Sequence, residues 1–140
     1  MAVNWTAEQI LALAPDPSSA KAGRGLASAA SWVTSGRNEV AAWGECPIAR
    51  LFDSTVISCH VGCVKPEPEI YQISLRELGV EAREAVFVGD GGSSELEGAR
   101  NVGLTTVMIA GVIREIWPER IPERRRHADF VIERLGELFG

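Results

Sequence analysis

Three side chains in this sequence are placed where they could do chemistry. In VFVGDGGSSELEGA, residues 86–99, an apolar run ends directly at Asp90; two glycines and two serines follow, and Glu95 stands five positions beyond the aspartate. Two carboxylates so spaced can flank the start of one helix. Hard divalent cations such as Mg2+ take one or two carboxylates together with water and phosphate oxygen, and a helix N-terminus adds partial positive charge for an anion. Lys65 lies in VKPEP, on backbone stiffened by Pro66 and Pro68. A lysine facing the acidic turn could orient a carboxylate and neutralise phosphate charge. On spacing alone a plainer reading stands beside this one, in which Asp90 and Glu95 only cap a helix and Lys65 is a surface residue.

Two other clusters offer less. Cys59, His60 and Cys63 form a CHxxC group to which Cys46 could add a fourth zinc ligand, but the paired Cys-x-x-Cys knuckle is missing. A thiol nucleophile served by His60 or His127 lacks a third group to orient it. An odd set of three cysteines without an export signal reads as free thiols. Arg124, Arg125 and Arg126, followed by His127 and preceded by Glu119 and Glu123, read as a solvated surface.

The elements that must position these residues follow from periodicity. A helix over 5–14 has Thr6 as cap, Gln9 completing a capping box and Trp5 stapling onto Ile10, and Pro15 and Pro17 stop it. A softer helix over 18–30 is weakened by Gly23 and Gly25. Past Leu51 the pattern changes to a short strand at Val56, Ile57 and Ser58, then a helix in KPEPEIYQISLRELGV opened by Pro66 and Pro68 and closed by Gly79. Residues 85–89 and 105–110 read as buried strands, and between them SSELEGARNVG reads as a helix with Ser94 and Glu97 as its capping box and Gly103 as its stop. Residues 114–126 read as an irregular connection with a helical turn. The tail ADFVIERLGELFG offers Phe130, Ile132, Leu135 and Leu138 to the core. Continuous apolar strands alternating with helices predict an α/β fold with a parallel sheet covered on both faces. A boundary near Pro47 divides the chain into a helical leader, 1–47, and an α/β unit, 48–140.

Bulk properties set outer limits. With 140 residues, one domain is the default. A content of 46% hydrophobic and 24% charged residues points to a folded globule. The net charge of -5 and pI near 5.1 give no electrostatic reason to bind nucleic acid or an anionic membrane. No stretch approaches the roughly 20 apolar residues of a membrane span, and the N-terminus lacks the pattern of a signal peptide, which predicts a cytoplasmic protein.

The order LFD, VGCVKPEPEIY, LGV, AVFVGDGGSSELEGARNVGLTTVMI and HADFVIERLGEL resembles the C-terminal half of haloacid dehalogenase-like hydrolases. The resemblance implies a truncated Rossmann-like parallel sheet of three or four strands, preceded by the helical segment. It implies that Lys65 contacts the nucleophile and the substrate phosphate, and that Asp90 and Glu95 hold or support Mg2+. The family's nucleophile and general acid form an Asp-x-Asp pair. This chain has four aspartates, Asp16, Asp53, Asp90 and Asp129, and no two stand two apart. Asp53 is a secondary candidate for the nucleophile, although the family's FD pair before the KP strand suits it better. Ser94 stands where close relatives often carry an acid. Thr34 or Ser35, in SWVTSGRNEV, could match the phosphate-binding hydroxyl. Residues 1–46 are also similar to the leading segment of SWIM-type zinc-finger proteins, without their Cys-x-Cys and Cys-x-His ligands, so no zinc role carries over.

The sequence therefore predicts a chimera-like hydrolase remnant of Mg2+-dependent phosphatase type, acting on a small phosphate ester, weak or inactive for want of its aspartate pair. The alternative is a non-catalytic scaffold or an oligomerising chimera. Three of the four tryptophans, Trp5, Trp32 and Trp43, lie in the leader, which predicts that it packs on the sheet; a second copy could cover what it leaves bare, giving a homodimer.

Overall fold

In the computed structural model, residues 29–32 and 43–139 are described. Strand β1 (Ala29–Trp32) pairs in parallel with β2 (Ser54–Ile57), in register from Ala29 opposite Ser54 to Trp32 opposite Ile57. A single helical turn, α1 (Ser58–Val61), leaves β2 and ends at Gly62. Helix α2 (Pro68–Leu78) begins with a proline in its first turn, where a missing N–H costs nothing. Its buried residues, Ile70, Tyr71 and Ser74, share one face, and Gly79 stops it in a left-handed conformation while the Val80 N–H donates back to the Leu75 carbonyl.

A three-stranded parallel sheet follows, in the order β3 (Val86–Gly89), β4 (Thr105–Ile109), β5 (Phe130–Ile132). Helix α3 (Glu95–Val102) crosses from β3 to β4. Between β4 and β5 run α4 (Gly111–Ile116) and α5 (Ile121–Arg124), with 3-10 turns at Pro118–Arg120 and Arg125–His127. Helix α2 touches β1, β2 and α3, so it joins the strand pair to the main sheet. Val56, Cys63, Ile70, Tyr71, Ala99 and Leu104 form one core cluster; Leu96, Met108 and Ala110 form a second; Phe87 packs against both.

The predicted α/β class and parallel sheet are the observed ones, with three strands in the main sheet. Several local expectations are corrected. Ala29 and Ala30, assigned to the helix over 18–30, are in strand β1, because pairing with β2 outweighs alanine's helical preference. The remainder of that helix, the helix over 5–14, and Thr34 and Ser35 lie outside the described residues. Ser58 starts α1 rather than ending a strand. Phe130 and Leu138 are exposed, not core. Successive strand residues face opposite sides, and it is Val131 that packs on the Leu96 cluster, which turns Phe130 away from it. Val86, opening the β3 edge strand, is also exposed. Residues 114–126 are more regular than expected, being mostly short helical pieces. Strands β1 and β2 pair across Pro47, so the two sides of that residue share a sheet. Among the described residues no helix is long and apolar enough to cross a membrane.

Strand β5 is held in place by a carboxylate. The fully buried Thr106 donates its N–H to Asp129 Oδ2 at 2.9 Å, and its hydroxyl lies 2.7 Å from the His127 carbonyl and 3.0 Å from Oδ2. The Thr106 N–H, then the Thr106 hydroxyl, hold the Asp129 pKa below its ordinary value, with Arg100 adding to the effect. A carboxyl group lowered in the folded state stabilises the fold above its unfolded pKa and loses that contribution as pH falls through the folded one. Asp129→Asn is therefore expected to unfold at lower urea than the parent at pH 7. The gap should close as pH drops below the ordinary aspartate value of about 3.9. A gap that stays constant from pH 7 to pH 2.5 would remove the charged bond from the account.

Candidate active site

The loop after β2 and the turn after β3 meet through one ion pair. Lys65 Nζ lies 2.5 Å from Glu95 Oε2, and both side chains are largely buried, 14% and 8% exposed. The second oxygen, Oε1, accepts the Gly91 N–H at 3.1 Å. Tyr71, from α2, donates its hydroxyl to the Glu95 carbonyl at 2.8 Å and packs edge-on against Phe87, the ring centroids 5.5 Å apart. The Lys65 ammonium sits 5.7 Å from the centre of that Phe87 ring, within reach of a cation-π attraction. Burial raises the Glu95 pKa; Lys65 opposes this by its charge and its hydrogen bond, Asp90 adds to the rise, and the Gly91 N–H opposes it. Tyr71 is likewise raised, first by burial and then by the charge of Glu95.

This packing needs a bare strand end. A Cβ on Gly89 would fall 2.2 Å from Glu95 Oε1 and 2.9 Å from the Phe87 ring, so only glycine lets the carboxylate fold back over β3. The predicted capping box of Ser94 and Glu97 does not form. Ser93 and Ser94 both take positive φ, 52° and 54°, and Ser94 makes no side-chain cap. Consecutive non-glycine residues in this region are costly, and such strain is held by surrounding contacts. The Lys65 bond, which draws Glu95 inward at the first position of α3, is one such contact.

Asp90 stays more open, with its side chain 44% exposed. Its Oδ1 accepts the Gly92 N–H at 2.7 Å, an Asx turn across the two glycines. Its Oδ2 lies 3.1 Å from Arg124 Nη1, which also donates to the Asp90 backbone carbonyl at 3.2 Å. Arg124 is only 13% exposed, which corrects its reading as solvated surface. Its inward direction follows from Ile121, which packs on the Leu96 cluster and stands three residues earlier in the same helical stretch, so that the two side chains share a face.

Lys65, Asp90 and Glu95 are thus brought together. Asp53 is not. It is exposed, just before β2, and the hydroxyl of its neighbour Ser54 bonds Glu77 in the last turn of α2. Eleven helical residues, roughly 16 Å, separate that end from the Lys65 end. Cys59 and His60 are exposed while Cys63 is buried, and burial, then Glu67 and Glu69, push the Cys63 thiol pKa up. Among the described residues no three His, Cys, Asp or Glu side chains group as a metal site. For a Mg2+ ion that takes one or two carboxylates and keeps several waters, Asp90 fits as the ligand because its carboxylate is half-open to solvent, whereas Glu95 is buried with both oxygens engaged.

A family model for haloacid dehalogenase-like hydrolases matches residues 7–103. The chain is 37% identical over 92 residues to glyceraldehyde 3-phosphate phosphatase of Methanopyrus kandleri, covering 65% of this chain and 38% of the relative. It is 36% identical over 85 residues to bifunctional epoxide hydrolase 2 of Rattus norvegicus, covering 59% of this chain and 15% of that protein. The fold is similar to a crystal structure of an HAD phosphatase from Thermococcus onnurineus, with a TM-score of 0.60 and 33% identity, covering 77% of this chain and 47% of that one. The chain spans less than half the length of each of these proteins. The family match starts at residue 7 and crosses Pro47, so it takes in most of the leader. The SWIM-type likeness of residues 1–46 has no counterpart among these relatives.

Removing one member of a buried ion pair strands the other. Glu95→Ala is expected to lower unfolding stability by about 3–5 kcal/mol, whereas the double change Lys65→Met with Glu95→Leu should cost far less. Urea titration of the two variants measures this. A single-variant loss below about 1 kcal/mol would place the pair with ordinary surface bridges.

Proposed function

The chain belongs to the haloacid dehalogenase-like hydrolase family, and we propose that its site is the lysine and acid side of a Mg2+-dependent phosphatase acting on small phosphate esters. The observation that carries this reading is the convergence of Lys65, held by Glu95, with the half-open carboxylate of Asp90 at the end of β3. The name of the Methanopyrus kandleri relative, a glyceraldehyde 3-phosphate phosphatase, supports a small phosphate ester as the substrate class.

Each residue then has a distinct task. Lys65 faces the phosphate and neutralises its charge through a charge-assisted hydrogen bond. Glu95 fixes the lysine, and Asp90 holds the cation. Mg2+, when bound, would supply positive charge to the phosphate oxygens. Thr34 or Ser35 would add a hydroxyl to the phosphate. The segment before Pro47 is read as part of the same hydrolase unit, since the family match begins at residue 7.

The four aspartates of the sequence include no Asp-x-Asp pair, and Asp53 stands at the far end of α2 from Lys65. These 140 residues therefore bind phosphate through Lys65 and turn phosphate esters over weakly or not at all. That same lack favours a second reading, in which the fold is a non-catalytic scaffold. Phosphate binding separates the two. With Mg2+ present, inorganic phosphate binding measured by 31P NMR titration should weaken about tenfold or more in Lys65→Gln, the loss of one charged hydrogen bond. It should weaken also in Asp90→Asn, while p-nitrophenyl phosphate hydrolysis stays near background in all forms. Phosphate affinity indifferent to both substitutions would leave the scaffold.

A further inference from the structure

The proposed chemistry leaves Arg124 without a task, yet this side chain is among the most firmly placed at the turn. Its guanidinium lies on Asp90 Oδ2 at 3.1 Å and on the Asp90 carbonyl at 3.2 Å, and only 13% of the side chain is exposed. Its stem is packed against the backbone. A Cβ on Gly91, which takes a φ of +80°, would fall 2.8 Å from Arg124 Cβ, so the glycine serves both the turn and the approach of the arginine. The stretch presenting Arg124 is a chain of short helical pieces, 118–127, begun by Pro118 and braced by Pro122.

Charge at the turn is balanced internally. Glu95 has Lys65, and Asp90 has Arg124. A Mg2+ ion sits about 2.0–2.1 Å from each oxygen it binds. With Asp90 Oδ1 accepting the Gly92 N–H, the guanidinium holds the remaining oxygen, and a divalent ion on that oxygen would meet a like charge at short range.

We propose that Arg124 is the resident counter-ion of Asp90 and competes with a divalent cation for its carboxylate, so that metal affinity is set by how readily the guanidinium leaves. The proposal rests on the reading of Asp90 as metal ligand.

The test is Mn2+ binding to the full chain by isothermal titration calorimetry, in the parent, Arg124→Met, Arg124→Gln and Asp90→Asn. Methionine keeps an apolar stem over Gly91 and removes the charge; glutamine is the second variant should methionine lower the thermal melt. The expected result is Mn2+ binding about two- to fivefold tighter in both Arg124 variants, the scale of releasing one partly exposed ion pair, and loss of binding in Asp90→Asn. Unchanged or weaker binding in the Arg124 variants, with Asp90→Asn still abolishing it, overturns the competition and leaves the metal role of Asp90 standing. Binding that survives Asp90→Asn, or is missing from every form, overturns the metal role and the competition with it.

Discussion

The arrangement depends on a lysine and a glutamate that cannot be parted without leaving a charge in the interior. Lys65 and Glu95 are each mostly removed from water, and a buried ion is tolerated only when its partner and its remaining hydrogen bonds are in place. That requirement reaches well beyond the pair. It ties the loop after β2 to the turn after β3, demands a glycine at position 89, places the Tyr71 hydroxyl on the Glu95 carbonyl and brings the Phe87 ring under the ammonium. Phe87 is also the residue shared by the two core clusters, so the electrostatic tie and the apolar core meet at one side chain.

What was legible in the sequence was local. Pro68 and Gly79 bracket α2 because a helix start tolerates the missing N–H and its end favours a left-handed residue, and both rules act within a few residues. The apolar run 105–110 reads as a buried strand because β4 is central in its sheet. Lys65 and Asp90 stood out because stiff backbone and a strand end are visible in sequence. The failures came from contacts between distant residues. Ala29 and Ala30 became strand through partners some 25 positions away. The Ser94 and Glu97 pattern satisfied every local rule for a capping box, yet the neighbouring Glu95 is engaged by Lys65, and both serines sit in a conformation from which no cap is made.

Arg124 illustrates a different limit. Three consecutive arginines present the same composition at each position, and charge runs are normally solvated. Which of them turns inward is decided by helical phase relative to an apolar anchor, Ile121, in a helix of only four residues. A periodicity that short does not stand out against Pro118 and Pro122, so the inward arginine becomes apparent only once the turn it packs on is in place.

The two carboxylates at the turn have the same formal charge and unlike surroundings, and this divides their work. Glu95, 8% exposed with both oxygens engaged, contributes by holding a cation in a fixed position. Asp90, 44% exposed and linked to a cation on a separate helical stretch, keeps access to solvent. Donors aimed in advance act on an incoming charge without reorganising when it arrives. Lys65 satisfies this condition because Glu95, Phe87 and the rigid VKPEP backbone settle its position from the protein side. An anion reaching the turn would meet a lysine already oriented. Any charge placed on Asp90 would instead have to displace or share an existing partner, so the two halves of the site differ in readiness as well as in exposure.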